Sequence, residues 1–176
     1  MRIIAGRLGG RIFDSPPGQR THPMSDKMRG ALFNALGTMD GLTVLDAFAG
    51  SGALSFEAIS RGADKAVAID IDKGAIDTVL RSAHGLGIGD RVKASRVGLS
   101  SWLETYKAEQ FDIVLADPPY DDLQIRTLQK LVARLAPKGI FVLSWPGKQK
   151  APDFENLELL QQNGHGDSQL LFYRAS

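Results

Sequence analysis

The chain contains no cysteine. A disulfide framework and a thiolate metal site are both excluded, and the composition suits a reducing cytoplasm. It also lacks any apolar run of membrane-spanning length. Its opening, Met1-Arg2-Ile3-Ile4-Ala5-Gly6-Arg7, has no apolar signal-peptide core. The three histidines are scattered and lack metal-ligand spacing such as H-E-x-x-H, so no metal is expected. No spacing suggests a Ser-His-Asp set, and no internal repeat or low-complexity segment stands out. A cytoplasmic chain with no membrane partner is the expectation. Its 176 residues suit one domain with a core and a small appendage.

Net charge is nearly neutral at +1, yet unevenly spread. Residues 1–29 hold six basic side chains, Arg2, Arg7, Arg11, Arg20, Lys27 and Arg29, against Asp14 and Asp26, a surplus of four. The remainder is therefore mildly acidic. A basic arm on an acidic body suggests a polyanion partner, with a merely solvated face as the alternative.

Pattern divides the chain into an arm, residues 1–24, and a body, residues 25–176. The arm predicts two short strands, 2–5 and 10–13, forming a small hairpin, then a Pro/Gly/Ser/Thr-rich loop over 14–23. Ser25 or Asp26 can cap a helix reaching Leu36, with apolar Met28, Leu32, Phe33 and Leu36 at helical spacing. After Gly41 strands and helices alternate, which predicts an α/β fold with a mostly parallel sheet. The expected strands are 43–47, 65–70, 92–97, 111–116 and 140–144. The expected helices are 53–61, 72–83, 100–106 and 123–135. Residues 157–160 and 170–173 predict a closing antiparallel hairpin.

Chemistry concentrates at strand ends. Asp117-Pro118-Pro119-Tyr120 follows the apolar run Ile113-Val-Leu-Ala116, where open α/β sheets bind ligands. Two prolines remove two N–H donors and leave carbonyls free to accept, beside one carboxylate and one flat ring. That set suits a planar base with an exocyclic amine, although Pro-Pro also simply stops strands. The first strand runs into Asp46-Ala-Phe48-Ala49-Gly50-Ser51-Gly52, where glycines and a helix start allow close ligand approach. Ser55 stands where a dinucleotide fingerprint needs its third glycine. Asp46 would repel a pyrophosphate but welcome an ammonium group. Asp70 ends the second strand twenty residues beyond Gly50, placed to accept ribose hydroxyls, while Asp72 most simply caps a helix. Together these features fit S-adenosylmethionine. Phe48 either lines its site or packs under the turn. Trp102 is most simply core.

Asp46–Ala53 and Asp117–Tyr120 resemble the cofactor and catalytic motifs of class I S-adenosylmethionine-dependent methyltransferases acting on exocyclic amines. Arg2-Ile-Ile-Ala-Gly-Arg7, Gly10-Arg11, Pro23, Ser25–Arg29, Leu32-Phe33-Asn34 and the closing Leu171-Phe-Tyr173-Arg174 are similar to the bacterial RsmD-like family. The resemblance implies a Rossmann-like fold and N2-methylation of one guanine in small-subunit (16S) ribosomal RNA. Catalysis would fall to Asp117, Pro118, Pro119 and Tyr120. The cofactor would be held by Asp46, Phe48, Ala49, Gly50, Ser51, Gly52, Asp70, Ile71, Gly98 and Leu99. RNA would meet Arg2, Arg7, Arg11, Arg20, Lys27 and Arg29. The partner would be this RNA or an assembling 30S particle, and the protein a monomer. His22, Met24, Gly30 and Gly98 depart from the family pattern, as does Ser144-Trp145-Pro146. With no acid at Gly98, adenine recognition passes to backbone groups near Gly98 and Leu99. The other readings are a DNA adenine-N6 methyltransferase and a noncatalytic RNA-binding assembly module.

Overall fold

The computed structural model describes residues 1–18 and 23–176; Arg20 and His22 lie outside the described residues. The elements in chain order are α1 (Asp26–Leu36), β1 (Thr43–Asp46), α2 (Ala53–Ser60), β2 (Lys65–Asp70) and α3 (Lys73–Gly85). They continue with β3 (Val92–Arg96), α4 (Leu99–Thr105), β4 (Phe111–Ala116), α5 (Ile125–Leu131), β5 (Leu135–Pro146), β6 (Leu157–His165) and β7 (Ser168–Ala175). Among the described residues seven strands form one sheet in the order β3-β2-β1-β4-β5-β7-β6. The first five are parallel and the β6–β7 hairpin is antiparallel, with β7 pairing β5. The expected α/β architecture is therefore present, with the order reversing at β1 and β4.

Strand periodicity sorts the core into two layers, because successive side chains point to opposite faces. Val44, Ala66, Leu115 and Val142 meet α1, α2, α3 and the arm. Leu45, Val67, Val114 and Phe141 meet α4 and α5, where Trp102 is core as expected. Ser25 is the α1 cap, its hydroxyl accepting from the Met28 N–H, and Asp72 caps α3 through the Ala75 N–H.

The arm lies on the body. Ile3, Leu8 and Phe13 are buried in the first layer, and the Phe13 and Phe56 rings meet edge-on at 5.1 Å. Fully buried Glu57 of α2 accepts from the Ile4 and Ala5 N–H groups (2.8 and 3.0 Å) and from Arg61 Nε (2.8 Å). Gly6 sits so close that a Cβ there would lie 2.1 Å from the Ser60 carbonyl oxygen, so no larger residue fits. The expected arm hairpin is reduced to one antiparallel bridge, Arg2 with Ile12. Backbone bonds still join its two halves: the Ile3 N–H donates to the Arg11 carbonyl, the Phe13 N–H to the Met1 carbonyl and the Gly10 N–H to the Ile3 carbonyl.

Three boundaries differ from the expectation for physical reasons. The predicted helix 123–135 starts at Ile125, because Gln124 adopts a left-handed conformation, and gives way at Val132 to a short 3-10 turn. Pro137-Lys138-Gly139 lies within β5, tolerated at a register shift beside Phe111 and Ile113. The two hairpin strands run longer than predicted, to His165 and from Ser168, because the backbone ladder continues beyond their apolar residues.

Candidate active site

One cavity of about 860 Å³ opens at the carboxyl ends of β1, β2 and β4. This is the crevice where the strand order reverses, the usual ligand position in open α/β sheets. Asp117, Pro118, Pro119 and Tyr120 line it, together with Phe48, Ala49, Gly50, Ser51, Asp70, Ile71, Gly98 and Leu99. Asp46 and Gly52, buried next in the chain to the lining residues Ala47 and Ser51, do not themselves line it. The two predicted motifs thus converge, although more than sixty residues separate them in the chain.

Gly50 and Gly52 both have positive φ, 52° and 80°. At Gly52 a Cβ would meet the Phe56 ring at 2.9 Å and Val79 at 3.0 Å, so the turn needs glycine for space and conformation alike. Asp70 fastens this turn: its Oδ2 accepts from the Gly50 N–H at 2.8 Å, and its Oδ1 from the Asp72 N–H at 2.9 Å. Each carboxylate oxygen retains a second lone pair, so ribose hydroxyls can still be received. Asp70 is thus both wall and anchor.

Asp46 is 1% exposed. Its Oδ2 accepts from the Ser55 N–H (3.2 Å) and hydroxyl (2.8 Å). Its Oδ1 is buried and has no partner among the described residues. Ser55, read in the sequence only as a missing glycine, is therefore the residue that holds Asp46. Burial pushes the Asp46 carboxyl up to about 7; the Ser55 bonds oppose this, and the charges of Asp117 and Asp70 add to it. A buried acid with an empty acceptor is unfavourable in the free protein and suits a cationic group. Ile71 is 73% exposed, an unusual state for isoleucine, and its Cδ1 lies 3.9 Å from a Cβ built on Gly98. The two form an apolar shelf open to a flat ring. Phe48 both lines the cavity and packs on the second core layer, so its two readings hold together.

At the other end, burial raises the Asp117 carboxyl above its ordinary range, against a lowering hydrogen bond from Ser144. The Tyr120 hydroxyl is 2.7 Å from Ser144 Oγ, which fixes the ring at the cavity edge. The Pro119 carbonyl accepts from the Asp122 N–H at 3.0 Å, whereas the Pro118 carbonyl accepts no backbone hydrogen bond among the described residues. Sequence reasoning missed Ser144, Gln124, His165 and Ser168, which also line the cavity. The signal for Ser144 was its place at the end of the strand beside β4.

The basic set divides. Arg29 is fully buried, paired with Asp26 at 3.0 Å and near Glu57 at 3.8 Å. It is withdrawn from the RNA-contacting candidates, since its charge serves the clasp between arm, α1 and α2. Arg2, Arg7, Arg11 and Lys27 are exposed. Arg2 is engaged by Asp26, and Arg11 donates to the Gly85 and Leu86 carbonyls at the end of α3.

The fold and this cavity define a Rossmann-like methyltransferase. Compared along its length with the Escherichia coli protein yhhF, provisionally named a methyltransferase, the structure gives a TM-score of 0.89 at 29% identity, covering 100% of this chain and 98% of that one. The chain belongs to the family described as conserved hypothetical protein 95, matched over residues 1–174, and is an RsmD-like methyltransferase. It is 33% identical over 135 residues to YlbH of Bacillus subtilis strain 168, provisionally named an rRNA methyltransferase, covering 75% of this chain and 73% of that protein. It is 33% identical over 121 residues to ribosomal RNA small subunit methyltransferase D of Escherichia coli K12, covering 68% of this chain. That match spans 60% of the Escherichia coli protein's length.

Proposed function

We propose that the protein transfers a methyl group from S-adenosylmethionine to the exocyclic N2 amine of a guanine in small-subunit ribosomal RNA. The convergence of the Asp46–Gly52 turn, Asp70 and Asp117–Tyr120 on one cavity carries this reading. The name of the Escherichia coli relative supports the RNA class. The donor set fits the cofactor: Asp46 has a buried, unpartnered oxygen for an ammonium group, Asp70 has spare lone pairs for a ribose, and Ile71 with Gly98 forms a shelf for adenine.

When bound, S-adenosylmethionine supplies an electrophilic methyl group on a positively charged sulfur. An exocyclic amine is a poor nucleophile because its lone pair is delocalised into the ring. The Asp117 carboxylate and the Pro118 carbonyl accept its two N–H groups and favour a pyramidal nitrogen, while Tyr120 stacks on the base. Stacking of this kind is worth about 1–3 kcal/mol. The bound cofactor's methyl would pass to this nitrogen, its S–C bond breaking as the N–C bond forms, and the nitrogen would then shed a proton. Asp117, whose affinity for protons is raised by burial, is placed to receive it. Positioning of amine against methyl supplies much of the acceleration.

The arm and the start of α1 supply phosphate contacts through Arg7, Lys27 and Arg2, with Arg11 beside the α3 terminus. The division into an RNA-contacting arm and a catalytic body is part of this proposal, as are a monomeric state and a 30S precursor as partner. The test is single-turnover methyl transfer to 16S rRNA and to duplex DNA at saturating cofactor. Wild-type protein should methylate RNA and not DNA. Asp117→Ala should lose at least a hundredfold in rate, the scale of removing one transition-state contact to a reacting group. Wild-type rates in Asp117→Ala would reduce Asp117–Tyr120 to a strand terminator.

A further inference from the structure

We propose that Ser144 is a positioning residue for methyl transfer, its buried hydroxyl joining the Tyr120 phenol to the Asp117 carboxylate in a single relay. The proposal rests on the reading of Asp117 as the partner of the amine. It stands on three observations. Tyr120 Oη lies 2.7 Å from Ser144 Oγ. The β4–β5 register pairs Ala116 with Leu143, which sets Asp117 and Ser144 side by side at the next position. Ser144 is 3% exposed, and its backbone is held on the other side by pairing with Leu170 of β7.

Proton counting fixes the direction. A carboxylate only accepts, and a serine hydroxyl has one proton to give. The arrangement that satisfies all three groups has Tyr120 donating to Ser144 and Ser144 donating to Asp117. This holds the carboxylate plane and the aromatic ring to one another through a side chain sealed from water. The target base meets both groups, so one hydroxyl sets the angle between the acceptor for its amine and the surface for its face. The relay also favours the ionised carboxylate, countering burial. Other groups facing Asp117 are the Asp46 carboxyl of β1, with Asp70 of β2 beyond it. Asp121 on its own loop and His165 of β6 line the same cavity.

The experiment titrates Asp117 by carbon-detected NMR in aspartate-labelled protein without RNA, comparing wild type, Ser144→Ala and Tyr120→Phe. The acid limb of single-turnover methyl transfer is followed alongside. Ser144→Ala should raise the Asp117 midpoint by about one pH unit, a roughly tenfold loss of rate below the limb. Tyr120→Phe should shift it in the same direction by less, since Ser144 remains. Unchanged Asp117 titration in a folded Ser144→Ala protein would overturn the relay. If Ser144→Ala does not fold, an unchanged midpoint in Tyr120→Phe would overturn it equally. Because the titration needs no substrate, failure of wild-type methyl transfer would count against the proposed reaction and leave the relay to be decided by the NMR midpoints.

Discussion

Replacing Asp46 with Asn separates what this carboxyl costs the fold from what it contributes to the site. The variant keeps the shape, and its amide oxygen can still accept from the Ser55 N–H and hydroxyl. In the folded wild type the carboxyl holds its proton up to about pH 7, whereas its ordinary value is 3.8. Between those values the folded state binds more protons than the unfolded state, so stability falls as pH rises from about 4 to 7 and is level above. The separation of about three units corresponds to about 4 kcal/mol of cost when the group is ionised. Asp46→Asn should therefore be more stable than wild type at pH 8, by a few kcal/mol, with the difference shrinking toward pH 4. Urea unfolding at several pH values measures it. The same burial should make cofactor binding release a proton near pH 6, because an ammonium group beside Asp46 draws the carboxyl to its ionised form. Calorimetry in two buffers of different ionisation enthalpy reads that proton. Asp46→Asn should release none and bind the cofactor at least tenfold more weakly. Equal pH dependence of stability in the two proteins would refute the electrostatic reasoning. Undiminished binding by Asp46→Asn would refute the ammonium assignment.

Other outcomes follow from the same geometry. Asp70→Asn should weaken cofactor binding by about 1.5–3 kcal/mol, the range for hydrogen bonds to a charged group, as read by calorimetry. Because Asp70 also fastens the Gly50 N–H, Asp70→Ala should be worse than Asp70→Asn; equal affinities would remove the anchoring role. Glu57→Ala should destabilise the fold by about 3–5 kcal/mol, since it removes a buried acid beside Arg29 and Arg61 and frees the arm's Ile4 and Ala5 N–H groups. Thermal unfolding and hydrogen exchange at Ile4 and Ala5 check this, and an unchanged arm would contradict it. A double Arg7→Glu, Lys27→Glu variant should bind ribosomal RNA more weakly and with a shallower salt dependence, because fewer counterions are released. An unchanged slope would give those charges some other role. Removing residues 1–13 is the poorer test, as it would uncover Phe56 and the first core layer.

Much of this was legible in the sequence where local pattern and tertiary demand agree. β4 spans the predicted Phe111–Ala116, because its apolar run ends at an acid and a proline pair. Asp72 caps α3 where its spacing to Ala75 allows the bond. Elsewhere the deciding contacts are distant. Charge counting placed Arg29 on the surface, although it lies three and four residues before Leu32 and Phe33 on the buried face of α1. Asp26 on its own helix, the Arg2 carbonyl of the arm and Glu57 on another helix together explain why a guanidinium can stay there. The left-handed Gln124 shortens α5 with no glycine or proline to announce it. β6 outruns its apolar residues because an edge strand can continue through polar Gln161, Gln162 and Asn163, the Gln162 amide donating to Gln169 of β7. At the site, strand-end residues were readable because strand ends face the crevice. Ser144 stood at the end of a predicted strand, but its place beside Asp117 came only with the β4–β5 register, and the partnership of Ser55 with Asp46 only with the turn between them.

The most direct measurement is nucleoside mass spectrometry of 16S rRNA from cells lacking this gene, set against the same RNA after incubation with the purified protein and S-adenosylmethionine. The proposed reaction predicts that one N2-methylguanosine is missing from the mutant RNA and is restored at the same position by the protein. An unaltered N2-methylguanosine content, or restoration of a different nucleoside such as N6-methyladenosine, would contradict it.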